Sequence, residues 1–468
     1  MSNIKSQIKE VWQDIREAVA GTERDFTKTS IGKAIFILSV PMVLEMIMES
    51  VFAVVDIFYV SKLGADAVAT VGITESVMTI VYAVGGGLST AATALVARRI
   101  GEGDKREAGV AAFQAILLAI FVSLLFSLPG IIWARHFLRI MGASEEMIRE
   151  GYMYPAIMFG SSGIVMILFI INAVFRSSGD AAISMRVMWV ANLINLALDP
   201  LLIFGWGPVP AMGIKGAAIA TLIGRSVAVV YQFVLLFRSH HRIHLTWQSM
   251  RLQWCVMLSL LKVSAGGILQ NMIATSSWII LIRIISVFGA AALAGYTIAI
   301  RILLFALLPA WGISNAAATL VGQNLGAGFP ERAERSVRIT TIVNMAVMGL
   351  VSIVTILNSE NLIRIFIADA EVINQGAHAL HIVSYGFVFY ALSMVMVQGF
   401  NGSGDTLTPT LINFVCFWVI EIPLAWALAI WLDMGLTGAS LAIVIAESLL
   451  AVIAWWLFRK GKWKLQKL

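Results

Sequence analysis

The sequence predicts an all-α polytopic membrane protein, with twelve transmembrane helices arranged as two pseudo-symmetric six-helix bundles. Of its 468 residues, 59% are hydrophobic and only 13% are charged, whereas a soluble protein carries about 25% charged residues. Twelve apolar blocks each reach the ~20 residues that an α-helix needs to cross a bilayer. Short motifs also recur at a nearly constant separation along the chain. No charged block is long enough to form a separate soluble domain.

Residues 1–33 are predicted to form a cytoplasmic amphipathic segment before the first span. Apolar residues from Ile4 to Val19 recur at helical spacing, and Lys9 and Arg16 lie on the opposite face. Such a helix lies on a membrane surface with its apolar face inward, although a solvated helical tail has the same pattern. The spans that follow are expected near residues 35–60, 68–99, 108–133, 151–175, 184–206, 213–237, 258–287, 291–320, 336–358, 379–401, 409–431 and 436–458.

These spans divide into two lobes joined by a charged loop. Residues 34–238 hold the first six spans and are expected to form an N-lobe, and residues 258–458 hold the last six and form a C-lobe. Residues 239–257 are then a cytoplasmic linker, and residues 459–468 form a basic cytoplasmic tail.

The positions of Lys and Arg predict that both termini are cytoplasmic. With the N-terminus inside, most of the 33 basic residues fall in loops on that side, as the positive-inside rule requires. Arg135, Arg139 and Arg149 are a local exception. This arrangement explains the net charge of +6 better than nucleic-acid binding does. Cys255 and Cys416 are too far apart to indicate a disulfide framework or a metal motif.

An internal repeat relates the two halves of the chain. A shift of 225 residues places Leu63-Gly64-Ala65 on Phe288-Gly289-Ala290 and Ser178-Gly179-Asp180 on Ser403-Gly404-Asp405. Each unit holds six spans, an even number, so both units enter the membrane from the same side. We therefore expect the halves to be related by an axis along the membrane normal, with the substrate path between or within them.

The first span carries a proline and three carboxylates inside an apolar run. Glu45, Glu49 and Asp56 are spaced by four and seven residues, which places them on one helical face. One charge at the bilayer centre costs at least ~2.5–3.5 kcal/mol. Three on one face therefore predict a wet cavity lined by protein, and the neighbouring Met46 gives it a flexible apolar wall. Glu45, Glu49 and Met46 are our candidates for the substrate cavity, together with Asn192 of the fifth span.

The fifth span supplies a second polar face. Asn195 and Asp199 lie four residues apart and share a face with each other, and Pro200 frees a backbone carbonyl of the preceding turn. Oxygen atoms in this arrangement suit a hard cation or a proton-binding carboxyl. The alternative is a hydrogen-bonded network that only packs helices together.

Other charged residues within the spans are less specific. Glu75 and Arg301 lie at corresponding places in the second and eighth spans. They could pair across the halves, or each could lie near the mouth of a cavity. Glu421 and Glu447 could belong to a second, C-terminal cavity or hold helices together. Arg225 is interpreted either as structural or as extending its charged end toward the membrane surface.

The ordered motifs resemble the multidrug and toxic compound extrusion (MATE) family over roughly residues 28–458. The motifs that carry the resemblance are Val55-Asp56 with Leu63-Gly64-Ala65, Phe175-Arg176-Ser177-Ser178-Gly179-Asp180, Asn195 with Leu198-Asp199-Pro200, and Val321 to Gly328 with Arg332-Ala333. The resemblance implies two six-helix bundles around a V-shaped cleft. It also implies export of cationic or amphipathic drugs against an inward flow of H⁺ or Na⁺.

The resemblance also implies roles for individual residues. Asp56 corresponds to the family's coupling aspartate in the first helix, and Pro41 to the proline at which that helix bends. Asn195 and Asp199 resemble its partners in the fifth helix, and Thr221 of the sixth helix is added to this ion-coupling set. A Na⁺ ion at Asp56 and Asp199 is one form that the coupling could take.

The pattern is closer to the DinF-like branch of the family than to the NorM-like branch. The NorM-like branch keeps acids in the seventh and tenth helices. Here the seventh helix offers Gln270 and Asn271, and the tenth has no carboxylate between His381 and Asp405. Coupling is therefore expected in the N-lobe.

The resemblance implies a monomer in a bacterial inner membrane that uses no cofactor besides its coupling ion and binds no nucleic acid. A related flippase for lipid-linked or polysaccharide precursors is the nearest alternative, but it would need a strongly cationic cavity. An intramembrane enzyme would need a nucleophile–base pair or metal ligands within the spans, and none stands out. A passive channel would not need ionisable residues buried within a two-fold repeat.

Overall fold

The computed structural model describes residues 12–21, 24–238 and 242–468. Within these ranges the chain folds into long apolar helices, eleven of which can cross a membrane as single helices, and a bent pair supplies a twelfth crossing. We number them α1 (Ile31–Ser61), α2 (Ala65–Gly101), α3 (Lys105–Ile132), α4 (Met153–Ser178), α5 (Ala181–Phe204), α6 (Ile214–Phe237), α7 (Trp254–Phe288), α8 (Ala290–Gly326), α9 (Pro330–Arg364), α10 (Ala370–Ser384 and Phe387–Ser403), α11 (Leu407–Trp431) and α12 (Gly435–Arg459). The predicted fold class and the order of its spans are confirmed.

Several segments depart from a simple crossing. The two halves of α10 meet at an angle of 52°. Two short helices, Ala134–Ile140 and Glu145–Gly151, connect α3 to α4. In α11, Phe414–Glu421 and Ala427–Trp431 are wound as π-helix, a conformation that often occurs at functional sites.

The described part of the N-terminal segment is helical over residues 12–20. Lys33 Nζ lies 2.6 Å from Asp14 Oδ1, and Ala18 is buried, so this helix is attached to the start of α1. The rest of the predicted amphipathic stripe, including Ile4 and Lys9, lies outside the described residues.

The internal repeat is visible in the backbone. Gly179 ends α4 with a φ of 100°, and Gly404 ends α10 with a φ of 89°. Gly64 and Gly289 likewise precede α2 and α8 with φ values of 106° and 95°. Positive φ is readily adopted only by glycine, so the repeated glycines give the two halves matching turns.

Small residues allow helices from the two halves to pack closely. A Cβ atom on Gly87 of α2 would lie 2.4 Å from the backbone nitrogen of Ile268 in α7. A Cβ atom on Gly312 of α8 would lie 2.6 Å from Cγ2 of Val43 in α1. Glycine at such crossings lets backbones approach, as is common in membrane helix packing.

The two halves also touch at the end of the molecule where α1 begins and α12 ends. A Cβ atom on Gly101 would lie 2.0 Å from the carbonyl oxygen of Gln323, and one on Gly326 would lie 2.0 Å from that of Arg98. Gln323 also donates from Nε2 to the carbonyl oxygen of Ser177 at 2.8 Å. The backbone contact between the ends of α2 and α8 closes this side of the molecule.

The segment after α12 crosses the same contact. Arg98 donates to the carbonyl oxygens of Gln466 at 2.9 Å and of Ser403 at 3.3 Å. Lys464 Nζ lies 2.5 Å from Glu334 Oε2. The tail therefore connects α2 with the second half of the chain.

Helix α1 runs through Pro41 as one continuous helix. A proline within a helix removes one backbone hydrogen bond and weakens the helix at that point. The role of Pro41 as the hinge at which α1 bends stays a prediction.

Candidate functional site

A central cavity of about 640 Å³ lies between the two halves of the chain. Helices α1, α2, α4, α5, α7, α8 and α10 contribute to its wall. Of the four residues predicted to line a substrate cavity, Glu45, Met46 and Glu49 lie on this wall and Asn192 does not. Its wall also includes six amide side chains, those of Asn172, Gln270, Asn271, Asn315, Gln398 and Asn401. The cavity thus combines carboxylates with neutral hydrogen-bonding groups and apolar surface.

Glu45 is paired with a cation inside this cavity. Arg176 of α4 donates from Nη1 to Glu45 Oε1 at 2.9 Å. The side chain of Glu45 is 4% exposed and that of Arg176 is 18% exposed. Glu45 Oε2 is buried and has no hydrogen-bond partner among the described residues. One acceptor oxygen of the pair is thus left unsatisfied by the described part of the chain.

Glu49 lies at the boundary between the central cavity and a second cavity. It lines both of them. Asn192 of α5 lies behind it and donates from Nδ2 to Glu49 Oε2 at 3.2 Å. Asn192 therefore orients a carboxylate of the central cavity from the side of α5.

The second cavity, of about 350 Å³, lies within the first half of the chain. Asp56 of α1 lines it together with Glu75 and Tyr82 of α2, Tyr154 of α4, and Thr221 and Arg225 of α6. Asp56 Oδ1 is buried and has no hydrogen-bond partner in the described part of the chain. The predicted coupling aspartate is therefore in a charged pocket beside the central cavity.

The other predicted coupling residues lie together. Asn195 donates from Nδ2 to Asp199 Oδ1 at 3.3 Å and to Thr221 Oγ1 at 3.1 Å. All three side chains are buried. Asp199 is also close enough to Asp56 for their charges to interact. The structure thus brings Asp56, Asn195, Asp199 and Thr221 into one neighbourhood.

The chemistry of this neighbourhood suits a proton or a hard monovalent cation. Asp56 Oδ1, Asp199 Oδ2 and Asn195 Oδ1 are buried acceptors to which no described residue donates. Within the described ranges, however, no three His, Cys, Asp or Glu side chains are grouped as a metal site. A Na⁺ ion here would depend on two carboxylates and on neutral oxygens such as that of Thr221.

The pairing of Glu75 with Arg301 that the sequence allowed is wrong. Glu75 faces the second cavity, where it interacts electrostatically with Arg225 of α6. Arg301 is exposed on α8. Equivalent positions in the two repeats do not have to face each other, because each lies on the wall of its own lobe.

Glu421 and Glu447 come together in the second half of the chain. Both are buried and close enough for their charges to interact. Ser393 donates to Glu447 Oε2 at 3.3 Å. The buried Tyr296 and Tyr390 lie near this pair. Neither glutamate belongs to the wall of the central cavity.

Sequence reasoning missed two arginines of the site. Arg176 was used only as part of a motif, and Arg225 was interpreted as structural or as extending toward the membrane surface, although a basic residue within a span costs as much as an acidic one. The cost of placing a charge inside a span was therefore the signal that could have identified both arginines as candidate site residues. Tyr82 and Tyr154 carried no comparable signal, because tyrosine is common in membrane helices.

Comparison with known proteins agrees with the fold. A family model described as MatE matches residues 41–201 and 267–427. The probable multidrug resistance protein NorM of Thermotoga maritima is 28% identical over 93% of this chain and 93% of its own length. The FAD transporter of Shewanella oneidensis is 26% identical over 92% of this chain and 95% of its own length.

Two solved structures share the architecture. A MATE protein in complex with MaL6 has a TM-score of 0.88 at 22% identity, and the match covers 94% of this chain and 99% of that one. A MATE family transporter in an outward-facing conformation also has a TM-score of 0.88 at 22% identity, with 96% and 99% covered. The assignment to the DinF-like branch stays a prediction.

Proposed function

The chain belongs to the MATE family of multidrug efflux transporters, and on that premise we propose that it is a secondary active antiporter. It exports cationic or amphipathic small molecules in exchange for H⁺ or Na⁺. The protein is a polytopic membrane transporter rather than an enzyme. We further propose that it works as a monomer in a bacterial inner membrane with both termini in the cytoplasm.

The position of Glu49 between the two cavities carries this proposal. One cavity is large enough for a drug-sized molecule and has carboxylates on its wall. The other holds Asp56, and Glu49 faces both. An antiporter needs its substrate site and its ion site to influence each other, and two cavities that share a carboxylate meet that requirement.

The mechanism is alternating access driven by charge neutralisation. On the outward-facing side, Asp56 and Asp199 take up H⁺ or Na⁺, which removes negative charge that had favoured a cationic substrate. Helix α1 then bends at Pro41, the central cavity shrinks and the substrate leaves. Inward movement of the ion is driven by the membrane potential, which is worth about 2.3 kcal/mol per charge per 100 mV.

The contact between the ends of α2 and α8 supports the assignment of this conformation. With cytoplasmic termini, that contact closes the cytoplasmic side of the central cavity. On this proposal, the conformation belongs to the outward-facing half of the cycle. Inward opening requires that Gly101 and Gly326 separate from the carbonyl groups they contact.

A flippase or carrier for anionic, phosphate-bearing molecules is the second candidate. The relative named as an FAD transporter and the presence of Arg176 in the central cavity favour it. Glu45 and Glu49 oppose it, because one of them neutralises Arg176 and the other adds negative charge. We therefore retain cation export as the proposal.

The experiment that tests the proposal is dye efflux from proteoliposomes. Vesicles holding purified protein are loaded with a cationic dye, and a pH gradient and a Na⁺ gradient are imposed separately. Export that depends on one of the gradients supports antiport and identifies the ion. Equal dye loss with and without each gradient contradicts antiport, and export of an anionic nucleotide in place of the dye supports the second candidate.

A further inference from the structure

Arg225 of α6 is a cation of the second cavity whose hydrogen-bond partner is the phenol of Tyr82 and not a carboxylate. It lines that cavity, and its Nη1 atom is buried with no hydrogen-bond partner among the described residues. It forms no ion pair within 4.0 Å of a carboxylate in the described part of the chain, unlike Arg176. A guanidinium that no carboxylate contacts directly has its positive charge balanced only by charges farther away. Arg225 is therefore placed to respond to a change in nearby charge.

Carboxylates and phenols surround Arg225 from four neighbouring helices. Its guanidinium interacts electrostatically with Glu49 from α1 and with Glu75 and Tyr82 from α2. Asp56 of α1 also interacts with it. The titratable and charged groups on the helices packed around it are Glu49, Asp56, Glu75, Tyr82, Tyr154 and Asp199.

Glu49 makes this cation relevant to the substrate. Arg225 and Asp56 line the second cavity, and Glu49 also lines the central cavity. Arg225 thus attracts two kinds of carboxylate. Glu49 faces the substrate cavity, whereas Asp56 and Glu75 face only the second cavity. Whichever of them is ionised attracts the guanidinium.

We propose that Arg225 is a tethered counter-cation that connects the two cavities by competing with the cationic substrate for Glu49. The inference rests on the antiport function proposed above. When Asp56 and Glu75 are ionised, they balance the charge of Arg225, and Glu49 is available to a cation in the central cavity. When the coupling ion neutralises Asp56, less negative charge in the second cavity balances Arg225. Glu49 then becomes a stronger partner of Arg225 and loses attraction for the substrate.

The competition works because the cavities have a low dielectric. Interactions between charges a few ångströms apart are several times stronger there than in water. A shift of one guanidinium toward Glu49 therefore weakens the binding of a cation without any large helix movement. Arg225 acts here as a positioning residue, since it reaches the substrate only through Glu49.

The test is the binding of ethidium, a monovalent cationic dye, to purified protein in lipid nanodiscs. Its Kd is measured at alkaline and at mildly acidic pH without Na⁺, and at alkaline pH with Na⁺. For the natural sequence we expect the coupling ion to weaken binding within the ~5- to 150-fold range typical of coupled sites. In Arg225→Gln this ratio falls below about twofold, because dye binding no longer senses the coupling site. Arg225→Lys keeps most of the ratio, because it keeps the charge.

Arg301→Gln is the matched control, since Arg301 is an intramembrane arginine exposed on α8. It should keep the full ratio. Glu49→Gln is a second test variant if Arg225→Gln does not fold. It removes the carboxylate that lines both cavities, so the ratio of Kd values with and without the coupling ion should also fall below about twofold. A full ratio in either Arg225→Gln or Glu49→Gln overturns the proposal.

Dye export by the natural sequence separates this inference from the function on which it rests. If the natural sequence exports no dye under either gradient, the antiport function and the role of Arg225 both fail. If it exports dye and Arg225→Gln keeps the full ratio, only the role of Arg225 fails.

Discussion

Arg176 and Glu45 form a buried ion pair, 2.9 Å between Nη1 and Oε1, that joins α4 to α1 inside the central cavity. The pair places a fixed positive charge beside two carboxylates that the sequence suggested for cation recognition. It also secures α1, the helix that carries Asp56, to a neighbour in the same half of the chain. Its two partners therefore contribute to stability as well as to the charge of the cavity.

Removing one partner of this pair should destabilise the protein. Glu45→Gln leaves Arg176 without its counter-charge, and breaking a buried pair costs about 3–5 kcal/mol. We expect the double variant Glu45→Gln/Arg176→Gln to recover much of that loss, with a coupling energy of about 0.5–3 kcal/mol. The differences in the free energy of unfolding are measured on protein in detergent that is unfolded by heat or by denaturant.

The exposed pair Glu360–Arg364 is the control for this prediction, with both side chains 60% exposed. Glu360→Gln should change the free energy of unfolding by less than about 1 kcal/mol. Equal effects at Glu45 and Glu360 would show that the Glu45–Arg176 pair is not a buried structural link.

Asn195→Ala should weaken ion coupling. The substitution removes the donor shared by Asp199 and Thr221, and a hydrogen bond to a charged group is worth about 1.5–3 kcal/mol. We expect the apparent affinity for the coupling ion to change by about tenfold or more, measured from the dependence of dye efflux on ion concentration. Asn374→Ala, at an exposed position in α10, should leave that affinity unchanged. An unchanged affinity in Asn195→Ala would leave Asn195 with a packing role only.

Gly326→Ala should impair transport by preventing closure between α2 and α8. The added methyl group would meet the carbonyl oxygen of Arg98, and the backbone on both sides of the contact has little freedom to move. We expect a lower thermal midpoint and loss of gradient-driven efflux. Gly72→Ala, on the same helix as Gly101 but with open space around its Cβ position, should keep both. Normal efflux in Gly326→Ala would show that the cycle does not need this close contact.

Labelling with a membrane-impermeant thiol reagent tests the predicted orientation. In a chain with Cys255→Ser, Glu146→Cys should react in intact cells, because the loop between α3 and α4 is predicted to be extracytoplasmic. Lys105→Cys, at the first residue of α3, should react only after the membrane is permeabilised. Both positions are exposed. The reverse pattern would place the termini outside and invert the direction of the proposed cycle.

The membrane fold could be predicted because its cause is local. Each crossing needs a continuous apolar helix, and that requirement is written in consecutive residues. The bend of α10 between Ser384 and Phe387 was not predicted, nor were the π-helical turns that end at Glu421. Such irregularities depend on the packing of neighbouring helices, which consecutive residues do not describe.

The candidate site was predictable only in part, for a related reason. Charges inside a span are costly wherever they occur, so Glu45, Glu49, Asp56 and Asp199 could be recognised from their positions alone. Which charge faces which is a matter of tertiary structure. Arg176 pairs with Glu45, which is 131 positions away in the sequence. The arginine that interacts with Glu75 is Arg225 and not Arg301. No local pattern encodes these partnerships.

The central claim, that Asp56 couples ion entry to drug export, is tested most directly by Asp56→Asn. The variant is reconstituted in proteoliposomes, and efflux of a cationic dye is measured under the gradient that drives the natural sequence. Asp66→Asn, which changes an exposed carboxylate at the start of α2, is the matched control and should export normally. We predict that Asp56→Asn inserts and folds but shows no gradient-driven export. Full export by Asp56→Asn would contradict the account.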